Sequence, residues 1–386
     1  MSSRFEFGNA NSKTTVFASA ALVRGKYAKS SFVGQEGNQG PYKLRGTNGE
    51  LYVLVISGSE RVYVNGILLT RGENNDYIID YNAGEIKFTS IFPITSEMRI
   101  SIEYQYSDRN YTSFITYAGA TQEHEKWSIG GYLYSENDMK NQPLQQNLST
   151  DQVQTLANAG DNQNLMSAPS AYLDTYSENK ILYKKTLING VSVFVYSNVS
   201  TDELYNVKFS LVGNNLGNYI LSSSSAIGKI YRYVAPVNGV PQGNYDPIMR
   251  LIAPSELQIA TVLGKFNPSE KTNVDFEIGV SNNDNNLFSP IDDSDNHGVA
   301  GKINLKQRMV SKKWKLDFFT NYQLIQKQFK TIERLFTIEF DRDWNLNNPF
   351  GTQSYLVSGL NFNLPEKGAI TYQFENLGFL LIHFQH

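Results

Sequence analysis

Apolar and polar residues alternate with a period of two along most of the chain. In one stretch Val274, Phe276 and Ile278 take one side, while acidic residues and a glycine take the other. Such alternation is typical of a strand with one apolar and one polar face. It recurs, strongly or weakly, in residues 15–23, 111–120, 127–135, 257–266, 301–309, 314–318, 355–362 and 369–375.

The connections between these segments alternate in length. Short polar turns are predicted at residues 121–126, 267–271, 310–313 and 364–368. Long connections lie between them, at residues 34–108, 136–256, 281–297 and about 327–353. An up-and-down meander places successive connections at opposite ends of the sheet. One end therefore has tight turns, and the other end carries the additional sequence.

This asymmetry is typical of an outer-membrane β-barrel, which has short turns at one end and long loops at the other. Strands of about ten residues also suit a tilted crossing of a bilayer. The predicted fold is all-β: an antiparallel up-and-down barrel of this type, or a partial barrel sheet. A soluble β-sandwich array shares the alternation and remains the alternative.

In the barrel interpretation, the apolar sides of two strands face lipid. The residues predicted to do so are Val274, Phe276, Ile278, Trp314, Leu316 and Phe318. Aromatic rings near strand ends suit the membrane interface, where amphipathic rings lie at headgroup depth. The predicted interfacial residues are Trp127, Tyr132, Tyr134 and Phe266. In the sandwich interpretation the same side chains pack against a second sheet.

Two long connections are predicted to be folded insertions. Residues 34–108 contain an Asn65-Gly66 hairpin signal and a second hairpin around Gly84, which favours a small immunoglobulin-like sandwich. Residues 137–256 are irregular and include a helix over 149–159, with Ser149 and Gln152 forming a capping box.

The chain thus divides into six predicted parts. They are a first barrel-strand region (1–33), the immunoglobulin-like insertion (34–108), a barrel hairpin (109–136), the irregular insertion (137–256), further barrel hairpins (257–378) and an atypical tail (379–386).

Composition narrows the function classes. The 386 residues carry a net charge of −3, only 18% charged residues and no cysteine. The near-neutral net charge argues against nucleic acid as a partner. The absence of cysteine excludes a thiol nucleophile and a disulfide scaffold. The N-terminal residues do not form a signal peptide, and no apolar run reaches the length of about 18 residues that a membrane helix needs.

Several segments resemble large outer-membrane or cell-surface β-proteins of flavobacteria and other Bacteroidota, including the giant barrel of type IX secretion. The segments that carry this resemblance are residues 58–66, 69–77, 79–88, 107–112, 132–137, 179–185, 241–245 and 339–344. The resemblance implies a non-enzymatic protein of the cell surface or outer membrane, associated with secretion. Such proteins are longer, and about nine predicted strands is an odd number, whereas closed bacterial barrels are usually even-numbered. The chain is therefore interpreted as a fragment that lacks its signal peptide.

Candidate chemistry is sparse. Asp293, Asp295 and Gly298 match the first, third and sixth positions of a calcium loop, but His297 stands at the fifth and Asn304 at the twelfth. A looser calcium site at Asp293 and Asp295 is the weak metal candidate, and a solvated acidic loop is the plainer interpretation. The sequence contains neither a phosphate-binding glycine loop nor a nucleophile elbow, so no catalytic residue and no cofactor are predicted.

The leading hypothesis is a barrel fragment with large loop domains for partner interaction. Its expected partners are outer-membrane lipid, envelope or secretion proteins, and glycan. The alternative is a soluble periplasmic or surface binding module that recognises protein or glycan.

Overall fold

A computed structural model describes residues 1–9, 11–23, 25–47, 53–107, 110–144, 148–224, 227–346 and 351–380. The fold is all-β with several antiparallel sheets, as the alternation predicts. No helix in these ranges is both long and apolar enough to cross a bilayer.

The strands of the first part of the chain are β1 (Ser2–Asn9), β2 (Ser12–Val23), β3 (Gly25–Val33), β4 (Tyr42–Lys43), β5 (Arg61–Val64), β6 (Ile67–Leu68), β7 (Tyr77–Asp80), β8 (Glu85–Phe88), β9 (Arg99–Ser107), β10 (Tyr111–His124) and β11 (Trp127–Pro143). Helix α1 (Thr150–Ala159) follows. The next strands are β12 (Ser167–Pro169), β13 (Tyr172–Leu173), β14 (Tyr183–Ile188), β15 (Val191–Tyr196), β16 (Leu204–Asn206), β17 (Ser210–Leu211), β18 (Tyr219–Ser224), β19 (Lys229–Tyr233), β20 (Tyr245–Asp246) and β21 (Ile248–Arg250). The remaining elements are β22 (Glu256–Ser269), β23 (Thr272–Asp284), a 3-10 turn (Asp293–Asp295), β24 (His297–Ser311), β25 (Lys315–Ile325), α2 (Phe340–Asp343), β26 (Thr352–Leu364) and β27 (Gly368–Leu380).

Ten strands form one continuous antiparallel sheet in the order β1-β2-β10-β11-β22-β23-β24-β25-β26-β27. Each strand pairs with its sequence neighbours once the two insertions are set aside. The sheet has ten strands, one more than the nine expected from the sequence. The additional strand is β1, which has only two apolar positions, Phe5 and Phe7, and therefore shows too little alternation to be predicted. Within the described ranges β1 and β27 each pair with a single neighbour.

The connections of this sheet alternate in length, as predicted. Residues 125–126, 270–271, 312–314 and 365–367 make tight turns at one end. The other end carries residues 24–110, 144–255, 285–296 and 326–351. We call these the turn end and the loop end. Both insertions leave the sheet at the loop end.

The first insertion, here called the first module, begins earlier than the sequence suggests. Strand β3 pairs with β9 from Gly25–Ser107 to Val33–Arg99, so residues 25–33 belong to the module and not to the ten-stranded sheet. Alternation alone does not reveal which partner a strand pairs with, so the sequence pattern groups residues 25–33 with the first strand of the ten-stranded sheet. Two sheets, β3-β9-β5-β6 and β4-β8-β7, share one buried core that includes Val62, Ile86 and Ile102.

The second insertion forms a separate unit of residues 148–253 and 286–292. Its helix α1 has the predicted capping box at Ser149 and Gln152. The fully buried Asn286 side chain donates to the carbonyl oxygens of Leu156 (2.8 Å) and Gly160 (2.7 Å), which satisfies the helix C-terminus. Strand β11 extends to Pro143, and of the predicted tail only residues 379–380 are described, as the end of β27.

Two buried tyrosines lie at the centre of the sheets in this second unit. Burial raises the pKa of Tyr183 to about 12 and raises the pKa of Tyr219 as well. A phenol whose pKa is raised on folding stabilises the fold fully below its unfolded pKa of about 10. That contribution is lost as the pH rises through the folded value.

We therefore expect the second unit to lose stability between about pH 10 and pH 12. Tyrosinate absorbance during an alkaline titration measures the ionisation, and far-UV circular dichroism measures the unfolding. The Tyr183→Phe/Tyr219→Phe variant should show a weaker dependence of stability on pH in this window. An unchanged dependence would contradict the assignment to these two hydroxyls.

Candidate functional site

The ten-stranded sheet carries its apolar side chains on one face. Cross-strand partners share a face, and the row through Phe276 runs through Gly264, Ile303, Tyr322 and Leu356. We call the face of Phe276 the apolar face. Its exposed large side chains include Phe5, Phe7, Leu22, Ile129, Leu133, Val262, Phe266, Ile278, Val280, Ile303, Ile370, Tyr372 and Phe374. Exposed apolar surface of this extent marks an interaction site in a folded protein.

Charge is nearly absent from the apolar face. Among the residues paired in the register of this sheet, the Asp, Glu, Lys and Arg side chains lie on the opposite face, which we call the polar face. The exceptions are Glu256 and Asp284, which pair with each other at the loop end. The apolar face is thus uncharged from the turn end almost to the loop end.

The polar face holds a connected set of hydrogen bonds. Asn304 donates to Asp275 and accepts from Asn321, so one polar row crosses three neighbouring strands. Nearby, Arg308 Nε lies 2.8 Å from the carboxylate of Asp317, which is only 7% exposed. Several buried positions of this sheet are therefore polar, while many exposed positions on its other face are apolar.

The hydrophobic cores lie elsewhere. Both core clusters found in the described residues belong to the insertions: one is in the first module, and the other surrounds Leu156 and Leu251 in the second unit. A soluble sheet with one wet face buries its apolar face against a core. In the ten-stranded sheet the apolar face is exposed, and several buried positions are polar.

The residues predicted to face lipid fall together on this surface. Val274, Phe276 and Ile278 on β23 lie on the apolar face, and the register with β24 places Leu316 and Phe318 there too. Trp314 lies in the turn before β25, with its ring 5.4 Å from that of Phe362 on the same face. That lipid covers this face stays a prediction.

The predicted interfacial aromatics divide between the two faces. Trp127 pairs with Phe266 on the apolar face at the turn end. Tyr132 lies on the polar face and stacks on Tyr117 at 6.2 Å, and the Tyr134 hydroxyl there donates to a carboxylate. Trp127 and Tyr132 are five residues apart, and an odd separation places two strand residues on opposite faces. The four residues therefore do not form one girdle.

The calcium candidate lies in the 3-10 turn Asp293–Asp295 before β24. Asp293 and Asp295 are exposed there, and the Asp293 carbonyl accepts the Asn296 backbone N–H at 3.4 Å. In the parts of the chain that the structure describes, no three His, Cys, Asp or Glu residues cluster as metal ligands.

One contact was not visible in the sequence. Residues 326–346, here called the strap, connect β25 to β26 and contact the first module. Arg334 Nε lies 2.6 Å from Oε1 of Glu103 on β9, and the guanidinium lies 5.5 Å from the ring centroid of Tyr63. Glu103 is only 5% exposed and also accepts from the Tyr27 hydroxyl at 3.0 Å. Burial and the adjacent carboxylate raise the pKa of Tyr27, which keeps this hydroxyl a donor.

The strap makes two further contacts. At the β5–β6 hairpin, Gly66 has φ +83°, and a Cβ there would lie 2.8 Å from Glu339 Cγ. Gly66 is therefore required both by the turn and by the close approach of the strap. At its other side, buried Phe340 packs edge-on against Tyr355 of β26, with ring centroids 5.7 Å apart. The strap thus joins the first module to the ten-stranded sheet.

Residues 27–108 match a family described as a domain of unknown function, DUF8818. The matched range covers most of the first module, from the third residue of β3 to one residue past the end of β9. Neither the curated proteins nor the solved structures contain a match to the chain.

We expect Arg334→Met to loosen the first module from the strap. The change leaves the Glu103 carboxylate buried without its guanidinium, and a hydrogen bond to a charged group contributes about 1.5–3 kcal/mol. Hydrogen exchange of the β9 amides in the full chain measures the local loss. Lys330→Met, which removes an exposed charge from the same strap, is the matched control. Equal exchange in the two variants would contradict an anchoring role for Arg334.

Proposed function

We propose that this chain is a non-enzymatic outer-membrane β-barrel protein of the cell surface, whose loop domains contact partners. The observation that carries the proposal is the exposed and nearly uncharged apolar face of the ten-stranded sheet. Exposing such a face to water costs roughly 25 cal/mol of free energy per Å² of apolar surface. Lipid removes that cost, and the polar face then becomes the barrel interior, which is polar in proteins of this class.

Strand length supports the proposal. A tilted transmembrane strand needs about 9–11 residues. Nine of the ten strands of the sheet have between 11 and 17 residues, and only β1, with 8, is shorter. Trp127 and Phe266 then lie at the headgroup level of the turn end, where aromatic rings are favoured.

Insertion into lipid requires both edge strands to be paired, because each unsatisfied backbone group costs several kcal/mol there. Ten is an even number, so β1 and β27 run in opposite directions. They are suited to pair with each other and close the sheet.

The asymmetry between the two ends gives the sheet an orientation. In proteins of this class short turns face the periplasm, and long loops face the outside. The first module, which we propose to be immunoglobulin-like, and the second unit would then emerge on the cell surface. The resemblance of several segments to flavobacterial surface proteins supports contacts with envelope or secretion proteins and with glycan.

Ile278→Arg tests the assignment of the faces. In lipid an arginine at midplane depth costs about 2–4 kcal/mol, while a lumen position tolerates it. We expect Ile278→Arg to lower folding stability in vesicles by that amount, measured by urea-dependent unfolding. Gln323→Arg, on the polar face of β25, is the control and should change stability far less.

Two results would contradict the proposal. One is an equal cost for both substitutions. The other is a full chain that stays monomeric and folded in water without detergent, which would favour a soluble binding module.

A further inference from the structure

We infer that residues 172–246 are a tandem duplication of one four-stranded module, and that its two copies bind each other as a symmetric pair. Repeat A comprises β13 to β16 (residues 172–206), and repeat B comprises β17 to β20 (residues 210–246). The inference does not depend on the membrane proposal, because it concerns the second unit alone.

The two repeats have the same topology. The sheet order is β13-β16-β14-β15 in repeat A and β17-β20-β18-β19 in repeat B. In each repeat the fourth strand along the chain inserts between the first and the second, and the third forms an edge. Two unrelated segments of about 35 residues would not be expected to share this order, since successive strands usually lie side by side.

The register around the central tyrosine is also the same, although the β18–β19 ladder has a bulge between Leu221 and Ser223 that the β14–β15 ladder lacks. In repeat A, Tyr183 pairs with Tyr196 on one side and with Tyr205 on the other. In repeat B, Tyr219 pairs in the same way with Tyr233 and Tyr245. The rings of the first pair in each repeat meet edge-on, at 6.3 Å for Tyr183 and Tyr196 and at 5.7 Å for Tyr219 and Tyr233.

Backbone hydrogen bonds outside the strand ladders repeat as well. The Ser197 N–H donates to the Leu182 carbonyl at 3.0 Å, and its counterpart from Val234 to Asn218 measures 2.8 Å.

A second such bond closes the first strand of each repeat. In repeat A, the Asp174 N–H donates to the Leu204 carbonyl at 2.9 Å. In repeat B, the Val212 N–H donates to the Asn244 carbonyl at 2.8 Å. The two repeats therefore share both of these backbone hydrogen bonds at corresponding positions.

The contact between the repeats is reciprocal. The Tyr183 hydroxyl of repeat A accepts the backbone N–H of Tyr231 in repeat B, at 3.0 Å. The Tyr219 hydroxyl of repeat B accepts the backbone N–H of Phe194 in repeat A, at 2.8 Å. Phe194 and Tyr231 are equivalent, because each lies two residues before the tyrosine that pairs with the central one. A contact in which i meets j and j meets i defines a two-fold interface.

The link between the repeats contributes to the same interface. Phe209 lies between β16 and β17, and its ring centroid is 5.1 Å from that of Tyr183 and 4.7 Å from that of Tyr219. A single side chain therefore packs against both central tyrosines. The surface around the central tyrosine of each repeat therefore binds the other repeat of the same chain.

The inference predicts crossed effects in the full chain. Tyr183→Phe should increase hydrogen exchange at the Tyr231 amide of repeat B, and Tyr219→Phe should increase it at the Phe194 amide of repeat A. Loss of one hydrogen bond of ordinary strength changes a local opening equilibrium by about five- to tenfold. The two effects should agree within about threefold, because the bonds are equivalent.

Tyr205→Phe is the matched control, since its hydroxyl donates to the exposed Glu203 and not to the other repeat. It should leave both amides unchanged. Exchange that rises only within the mutated repeat, or effects of the two substitutions that differ by more than tenfold, would overturn the inference. If either variant fails to fold, the same comparison is made with Phe209→Leu, which should raise exchange at both amides together.

Discussion

The structure depends on where the ten-stranded sheet places its apolar side chains. They lie on an exposed face that is nearly free of charge, while buried polar residues such as Asp317 and Ser281 occupy positions that a soluble sheet gives to its core. The hydrophobic effect alone does not favour this arrangement in water. The barrel that we propose would make both faces favourable at once, because lipid would cover the apolar face and the polar face would line a hydrated interior.

The insertions follow the opposite rule and behave as ordinary globular parts. The first module buries a core that includes Ile86 and Ile102, and the second unit packs its helix around Leu156. The strap connects the two kinds of structure, since Arg334 reaches the module while Phe340 packs on the sheet. A module held in this way is not freely tethered to the sheet, because the buried Glu103 carboxylate is paired with the partly exposed Arg334 of the strap.

The alternation of single strands predicted the sheet well, because a period of two directly reports which side chains share a face. It predicted the common face of Val274, Phe276 and Ile278 and the alternation of short and long connections. The prediction failed where the result depends on which strands pair, or on whether two residues are an even or an odd number of positions apart. It assigns residues 25–33 to the ten-stranded sheet although they belong to the first module, because a strand pattern does not identify the partner of the strand. The prediction also groups Trp127 with Tyr132, although their odd separation places them on opposite faces of the sheet.

Contacts between distant segments were outside the reach of the sequence. Nothing in the local pattern joins Glu103 to Arg334, which are 231 residues apart. The internal duplication left a weak trace in the spacing of Tyr183 and Tyr219 from their paired tyrosines. The spacings differ by a residue or more between the copies, and the remaining side chains have diverged. Strand order and reciprocal hydrogen bonds made the repeat visible.

Whether lipid covers the apolar face is measured most directly with the three tryptophans of the chain as depth probes. Variants that keep one tryptophan each, with phenylalanine at the other two positions, are reconstituted in vesicles containing brominated lipids. If lipid covers the apolar face, we expect strong quenching of Trp127 and Trp314 fluorescence, and little quenching of Trp344, which packs beside Tyr355 of the polar face. Equal and weak quenching of all three would contradict a lipid-covered apolar face.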